Sequence, residues 1–419
     1  MPHQVGGHRP KTADEAPYML RLEPPLSVAS SSSSSSSSPP RPRLLKVVQA
    51  GDKGERELAF YQRLFKEEEG EKREGGNGDA AEAEQQSTGG IWKALQPFVP
   101  SFYGVQAIHA NGLSHRYLIL EDLSLPPSFP PTCSLPTKSD PKPSLPASLI
   151  EHYPSILDVK IGQRSHPPWA PSDKVAREQI KHPHQKDVGF RIVGMKIYEG
   201  GGGRGEKGGA EEGGTEGGER KEENKLACTS STTIRRGGYV SEGKEYGRGL
   251  RPGKELKEGL ARFFLRGMKE GKEEEGVLKR LDLFIKRLEG LKKWFSRQRC
   301  LKFWSSSLLF VDHRYYDSQH KDKEQEQEEQ QQQLQGNGGE KGGGRIGEVW
   351  KEGRWRVEEE DVDLRMIDFA HVQIRGEEGE GGWEEGDVNY MYGLSSLLRH
   401  LKELREDAKG VARSRQRSK

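Results

Sequence analysis

The residues best suited to chemistry in this chain are a carboxylate and an ammonium group two positions apart, Asp158 and Lys160. They lie in segment 154–164, Pro-Ser-Ile-Leu-Asp-Val-Lys-Ile-Gly-Gln-Arg, whose alternating pattern predicts a strand. Because successive side chains of a strand point to opposite faces, Leu157, Val159 and Ile161 share one face and the acid and base share the other. Such a pair can serve a nucleotide and a phosphorylated acceptor, and a plain surface ion pair is the alternative.

Cations follow this strand along the chain. After Asp173, the spacing predicts a helix with Lys174, Arg177 and Lys181 three and four residues apart on one face. A ligand with several phosphate groups needs cations that converge, and lysines bind phosphates as point charges. A solvated helix face is the usual alternative, but the position directly after the acid–base strand favours a binding role.

A further acid closes a later apolar strand, which the pattern predicts from Asp361 to Asp368. Magnesium is a hard cation that prefers carboxylate oxygens together with the phosphate oxygens of ATP. Asp368 is therefore a candidate magnesium ligand.

The first folded segment predicts a strand over 44–48 and a helix over 54–65. The strand carries Lys46, and the helix carries Glu55 and Glu57. A strand lysine followed by a helix with acids is the small-lobe arrangement of kinase-like folds, where the lysine steadies nucleotide phosphates and a glutamate orients it. Glu57 is the expected orienting acid, and Glu55 is a rival.

Four motifs in this order resemble the inositol polyphosphate kinase family. They are Pro-x-x-x-Asp-x-Lys-x-Gly at 154–162, Tyr-Gly-Arg at 246–248 with Arg-Phe-Phe at 262–264, Ser-Ser-Leu-Leu-Phe-Val at 306–311, and Arg-Met-Ile-Asp-Phe-Ala-His at 365–371. The Tyr-Gly-Arg motif resembles the multikinase branch of the family. The chain departs from the family at 312–314, where Asp-His-Arg replaces the usual Tyr-Glu-Gly.

The resemblance implies an α+β, two-lobed fold of the ATP-grasp and protein-kinase type, with disordered inserts. It implies ATP and Mg²⁺ as cofactors. It places Lys46 at the nucleotide phosphates, Asp158 at the nucleotide sugar and Asp368 at the metal. The hinge between the lobes would meet the adenine through backbone groups, and here the resemblance selects Glu121 and Leu123.

On the acceptor side, the resemblance implies contacts from Lys160, Arg164, Lys174, Lys181 and His371. Lys160 would also stand beside the transferred phosphoryl group and share the catalytic role with Asp158. For His371, a hydrogen bond to a turn carbonyl is the alternative. The implied reaction moves the γ-phosphoryl group of ATP to hydroxyls of inositol tris- and tetrakisphosphates. A hexakisphosphate kinase, a trisphosphate 3-kinase and a non-catalytic scaffold remain alternatives.

The amino-acid composition limits how much of the chain can be folded. Only 31% of the 419 residues are hydrophobic and 52 are glycine, which is too poor in apolar residues for a chain that is folded throughout. We expect a disordered tail over 1–43, a small ATP-binding lobe over 44–123 with an insert at 66–90, a large lobe over 124–405 with inserts at 199–236 and 317–348, and a basic tail over 406–419.

The chain shows no secretory signal and no apolar run of the ~20 residues that a membrane span requires. Its three cysteines, Cys133, Cys228 and Cys300, are too widely spaced to predict disulfides or a metal site. With a net charge of +2, a nucleic-acid partner is not expected. We expect a monomer of the nucleus and cytoplasm that acts on inositol polyphosphates, with phosphoinositides left open as further acceptors.

Overall fold

The computed structural model describes residues 19–22, 42–66, 88–110, 113–125, 154–199, 234–236, 239–268, 274–313, 361–376 and 383–417. Within these residues the fold is α+β, as predicted, with a smaller and a larger antiparallel sheet. Within the same residues, no helix combines the length and the apolar composition that crossing a membrane requires.

The smaller sheet has four strands in the order β1-β2-β4-β3. These are β1 (Met19–Leu22), β2 (Arg43–Val47), β3 (Phe102–Ala110) and β4 (Leu113–Glu121). Helix α1 (Asp52–Leu64) follows β2, and its buried Tyr61 stacks on Phe102 of β3 with 5.5 Å between ring centroids. The strand and helix predicted around Lys46 are therefore confirmed.

The larger sheet has six strands in the order β11-β10-β5-β6-β8-β7. They are β5 (Ser155–Ile161), β6 (Phe190–Tyr198), β7 (Ile234–Arg236), β8 (Tyr239–Glu242), β10 (Ser307–Asp312) and β11 (Val362–Ile367). On β10, Ser307 stands opposite both Lys160 and Ile367. This register brings the last residues of β5 and β11, which are distant in the chain, to the same end of the sheet.

Helices and a small ribbon complete the fold. They are α2 (Thr88–Leu95), α3 (Ser172–Lys181), α4 (Gln185–Val188), α5 (Lys244–Gly249), α6 (Lys254–Phe264), α7 (Glu274–Arg297), α8 (Val388–Arg417) and the pair β9 (Leu301–Phe303) with β12 (Val372–Ile374). Helices α7 and α8 pack on each other, and Phe295 stacks on Tyr390 at 4.5 Å. The apolar stripes of both helices are buried in the shared core.

Three predicted disordered regions contain ordered structure. Part of the 1–43 tail forms β1, which pairs with β2 and so covers a strand edge that would otherwise be open. In the predicted 199–236 insert, Ile234–Arg236 pairs with β8, and Thr88–Leu95 begins inside the predicted 66–90 insert. The predicted 317–348 insert lies outside the described residues.

The predicted basic tail over 406–419 is also wrong for most of its length, because α8 continues to Arg417. Ala408 is buried against Met268 and Val277, so the helix still has an apolar face there. The guanidinium of Arg415 donates to the carbonyl of Met268 at 3.0 Å. These contacts extend the core past residue 405, the predicted end of the large lobe.

Candidate active site

Lys46 on β2 joins two acids from different parts of the chain. Its Nζ donates to Glu57 Oε1 at 2.7 Å and to Asp368 Oδ1 at 2.8 Å. The side chains of Lys46 and Glu57 are only 8% and 1% exposed, whereas that of Asp368 is 43% exposed. Asp368 is therefore anchored from the interior and open to a ligand.

Glu57 is the orienting acid, and the rival Glu55 is not. Glu57 Oε1 also accepts from the backbone N–H of Phe369 at 3.1 Å, which ties α1 to the segment after β11. Glu55 lies on another side of the helix and pairs with the exposed Arg116. Residues two apart do not share a helix face, so only one of the two acids can reach Lys46.

The backbone at Asp368 is strained. Its φ of 65° lies in the left-handed region, which a residue with a Cβ adopts only at a cost. The next residue, Phe369, is fully buried and stacks on Phe60 with 4.1 Å between centroids. The buried ring and the Glu57 hydrogen bond hold the turn, so the carboxylate direction is fixed before any ligand arrives.

Asp158 is a buried acid with an unsatisfied oxygen. It is 4% exposed, and within the described residues its Oδ1 has no hydrogen-bond partner. The pKa of Asp158 is raised to about 7, mainly by burial and then by the Asp368 carboxylate, while Lys160 opposes the shift. A ligand hydroxyl or a cation at Oδ1 would satisfy this atom.

Lys160 lies beyond Asp158 on the same face of β5, and its Nζ donates to Ser305 Oγ at 2.8 Å. Burial lowers the pKa of Lys160, with Asp368 opposing the shift and Arg191 adding to it. Lys160 thus stands between the acids and the cations of the site.

A cavity of about 570 Å³ joins these groups, a volume typical of small-molecule sites. Along its β5 wall Ile156, Asp158 and Lys160 alternate with the core residues Leu157, Val159 and Ile161, so the wall changes from apolar to acidic to cationic. Further apolar lining comes from Leu44, Leu120, Leu123, Leu309 and Ile367, and further cationic lining from Lys53, Lys174, Lys181, Arg191, Lys244 and Arg248.

The two residues that the resemblance assigns to the hinge, Glu121 and Leu123, lie at the apolar part of this lining. Glu121 is buried and accepts from both the N–H and the hydroxyl of Ser101 at 3.1 Å, so its carboxylate serves the fold. Leu123 packs against Ile156 and Val311. The contact of backbone groups in this segment with a base stays a prediction.

Of the five predicted acceptor contacts, Lys160, Lys174, Lys181 and His371 line the cavity, but Arg164 does not. The Arg164 guanidinium lies over the Trp304 ring at 5.2 Å, and its backbone N–H donates to Asn389 Oδ1 at 3.0 Å. The chain leaves the strand at Gly162, whose φ is 108°, so the alternation that orients Lys160 no longer applies to Arg164.

His371 lies near several cations of the cavity. The pKa of His371 is lowered to about 4, first by burial and then by Lys174, Lys53 and Lys160. The pKa of His182, which also lines the cavity, is lowered to about 4 by burial and then by Arg191. Both imidazoles are neutral at pH 7 and lie among groups that attract a polyanion.

Sequence reasoning missed two arginines of the cavity. Arg191 on β6 stands opposite Lys160, and burial lowers the pKa of Arg191 to about 10. Arg248 was named only as part of the Tyr-Gly-Arg motif. In the structure it lines the cavity, and its buried Nε has no hydrogen-bond partner within the described residues. The β5–β6 pairing would have revealed Arg191, but a bulge between Asp158 and Val159 makes this register unreadable from the pattern.

Among the described residues, no group of three or more His, Cys, Asp or Glu side chains could hold a metal ion by itself. Asp368 and the unsatisfied Oδ1 of Asp158 nevertheless supply hard oxygen atoms. Magnesium is usually held by one or two carboxylates together with substrate phosphates. The site therefore fits a metal that arrives with a nucleotide.

Known proteins share this sequence pattern. A family model described as inositol polyphosphate kinase matches residues 149–402, more than half of the chain. Inositol polyphosphate multikinase of Homo sapiens is 26% identical over 268 residues, covering 64% of this chain and 44% of that protein. Inositol hexakisphosphate kinase 1 of Rattus norvegicus is 26% identical over 269 residues, covering 62% and 51%. The chain spans about half the length of the curated relatives it matches.

Two solved structures are also similar. One is the inositol phosphate multikinase Ipk2 of S. cerevisiae in complex with ADP and Mn²⁺, with a TM-score of 0.46, 19% identity and coverage of 86% of this chain and 98% of that chain. The other, from studies of inositol phosphate multikinase, has a TM-score of 0.39, 16% identity and coverage of 77% and 96%.

Proposed function

The chain belongs to the inositol polyphosphate kinase family, and from this premise we propose that it transfers the γ-phosphoryl group of ATP to a hydroxyl of a phosphorylated inositol. One observation carries the proposal. Lys46, bonded to Glu57 and Asp368, lines the same cavity as the cations around Lys160. Phosphoryl transfer needs this combination because it depends on aligning two anionic reactants and neutralising their charge.

The nucleotide occupies the apolar and acidic part of the cavity in this proposal. The adenine lies against Leu44 and Leu123 and contacts backbone groups of the hinge at 121–123. Asp158 accepts a hydrogen bond from the nucleotide sugar, as family similarity suggests, and Lys46 binds the phosphates. Glu57 holds Lys46 in place, so little freedom is lost when ATP binds.

Asp368 holds the magnesium ion in this proposal. When bound, the ion neutralises phosphate charge and orients the terminal phosphate. The fixed turn at Asp368 positions its carboxylate before binding, which avoids reorganisation during the reaction.

The inositol phosphate occupies the cationic part of the cavity. Lys160 binds the transferred phosphoryl group on its way to the acceptor hydroxyl, where stabilisation of developing charge is most effective. Lys174 and Lys181 bind ring phosphates, and the neutral His371 donates a hydrogen bond to a further phosphate. We assign no residue as an obligatory general base.

We propose inositol tris- and tetrakisphosphates as acceptors, in the manner of the multikinases. The Tyr-Gly-Arg motif supports this choice, because Arg248 lines the cavity. A hexakisphosphate kinase is the second candidate, since such kinases are matched at the same identity. A pyrophosphate product from inositol hexakisphosphate would favour that second candidate.

The test is incubation of the full chain with Mg-ATP and each inositol phosphate, including inositol 1,4,5-trisphosphate, followed by mapping of the products. Phosphoinositide vesicles are assayed as further acceptors. Lys160→Ala should abolish turnover, whereas Lys254→Ala, at an exposed lysine outside the cavity lining, should not. Absence of turnover with every acceptor would support a non-catalytic scaffold, and unchanged turnover in Lys160→Ala would contradict the site.

A further inference from the structure

Glu178 brings a carboxylate into the cationic part of the cavity. Lys174, Glu178 and Lys181 occur four and three residues apart on α3, so they share the face that lines the cavity. Glu178 Oε2 lies 3.8 Å from a terminal nitrogen of Arg191 and accepts from the Ser165 hydroxyl at 3.3 Å.

The Glu178 carboxylate is charged and accessible from the cavity. Burial opposes ionisation, but Arg191, His182 and the Ser165 hydroxyl outweigh it and lower the pKa of Glu178. The side chain remains 27% exposed. Both contacts that fix the carboxylate use Oε2, so a ligand in the cavity can approach Oε1.

A negative charge in a site for polyanions must discriminate between ligands. A phosphate group beside a carboxylate is repelled, and like charges brought together in an interface disfavour binding. A hydroxyl in the same place donates a charge-assisted hydrogen bond to the carboxylate. Specificity often depends on such a repulsive contact as much as on attractive ones.

We propose that Glu178 determines acceptor specificity: it excludes a phosphate group from the place beside Arg191 and binds a free ring hydroxyl there. The inference rests on the proposed function, because it assumes that inositol phosphates occupy this cavity. It predicts that the chain discriminates against fully phosphorylated inositol.

A purely structural role is the rival explanation. Within the described helix α3 no residue is buried, so its polar contacts contribute to its position. Asp173 provides a matched control, because it lies on the same helix, is 64% exposed and pairs with Arg177 outside the cavity lining. Loss of a merely structural contact would change the affinity for every inositol phosphate alike.

The experiment is calorimetric binding of inositol trisphosphate and inositol hexakisphosphate to the full chain without ATP. Glu178→Gln keeps the side-chain shape and can still accept from Ser165, and Glu178→Ala removes the charge in a second way. In both variants the affinity for the hexakisphosphate should rise about tenfold more than the affinity for the trisphosphate. A tenfold change corresponds to only part of the charge repulsion that the substitution removes. Asp173→Asn should show no such selectivity.

Equal changes for the two ligands, or the same selectivity in Asp173→Asn, would overturn the role of Glu178. Turnover is measured separately. A wild-type chain that binds with this selectivity but does not phosphorylate would contradict the kinase proposal and support the role of Glu178. An active wild-type chain whose Glu178 variants show no selectivity would overturn the inference alone.

Discussion

Lys46 and Asp368 are 322 positions apart in the chain, yet Lys46 Nζ donates to Asp368 Oδ1 at 2.8 Å. Lys46 lies in the smaller sheet, whereas Asp368 directly follows β11 of the larger sheet, and Glu57 bridges them by contacting Lys46 and the Phe369 N–H. A change in Lys46 or Glu57 should therefore affect both the site and the junction between the sheets.

We expect Lys46→Met to lower turnover at least about 100-fold, because a charged group at the phosphates is lost. It should also lower the free energy of unfolding by about 3 kcal/mol, since Glu57 becomes a buried charge without its lysine. Kinetics and urea denaturation measure the two effects.

The double variant Lys46→Met/Glu57→Gln separates these effects. Removing the orphaned charge should restore most of the stability and none of the activity. Glu55→Gln is the matched control and should change neither property, because Glu55 pairs with the exposed Arg116. Recovery of turnover in the double variant would contradict the role of Lys46.

The alternation around Asp158 and the small-lobe lysine were predictable from the sequence, because strand periodicity and a lysine–helix pattern are local signals. The selection between Glu55 and Glu57 required the angle at which α1 meets the sheet, which local sequence does not encode. Arg191 was missed because its place depends on cross-strand register. Arg164 was assigned from the family resemblance, whereas the turn at Gly162 places it outside the cavity lining.

The ends of the folded region were hard to predict for the same reason, because tertiary contacts rather than local sequence patterns determine them. Strand β1 has only four residues, Met-Leu-Arg-Leu, too few for a period, and its order comes from pairing with β2. The end of α8 was underestimated since leucines stop at Leu404, whereas the contacts of Ala408 and Arg415 are tertiary.

Asp158 should make stability depend on pH in a defined direction. Its pKa is raised from 3.8 to about 7 in the folded chain, so the folded state holds the proton more tightly than the unfolded state. Asp158 therefore lowers the free energy of unfolding as pH rises from about 4 through about 7. Asp158→Asn should remove this loss.

Urea denaturation at pH 5 and pH 8 measures this effect as the difference between wild type and Asp158→Asn, which cancels other titrating groups. The variant should gain stability relative to wild type at pH 8. A difference that is the same at both pH values would mean that Asp158 titrates normally. Asp173→Asn is the control, because Asp173 is exposed.

Binding of an inositol phosphate should take up protons at pH 6. His371 has a pKa of about 4 in the free chain and is neutral at that pH. A bound polyanion offsets the charge of the neighbouring cations and raises the pKa of His371 toward its usual range. His371 therefore becomes protonated in a fraction of the molecules. His182 should contribute in the same sense.

Calorimetry in buffers of different ionisation enthalpy measures this uptake. His371→Gln should reduce the number of protons taken up at pH 6 and weaken binding, and both changes should shrink at pH 8. Uptake that is unaffected by His371→Gln would place the phosphates away from His371. His400→Gln is a suitable control because His400 lies on α8, outside the cavity lining.

Asp368→Asn should separate metal use from folding. Asparagine tolerates the left-handed backbone at this position better than most residues, and Lys46 keeps its bond to Glu57, so the unfolding transition should change little. Loss of one charged metal ligand should lower turnover at least about 100-fold and raise the magnesium concentration needed for half-maximal activity. In wild type, excess EDTA should abolish turnover and the stabilisation of the chain by ATP. If Asp368→Asn kept the wild-type magnesium dependence, Asp158 rather than Asp368 would be the principal ligand, and Asp158→Asn should then show the shift.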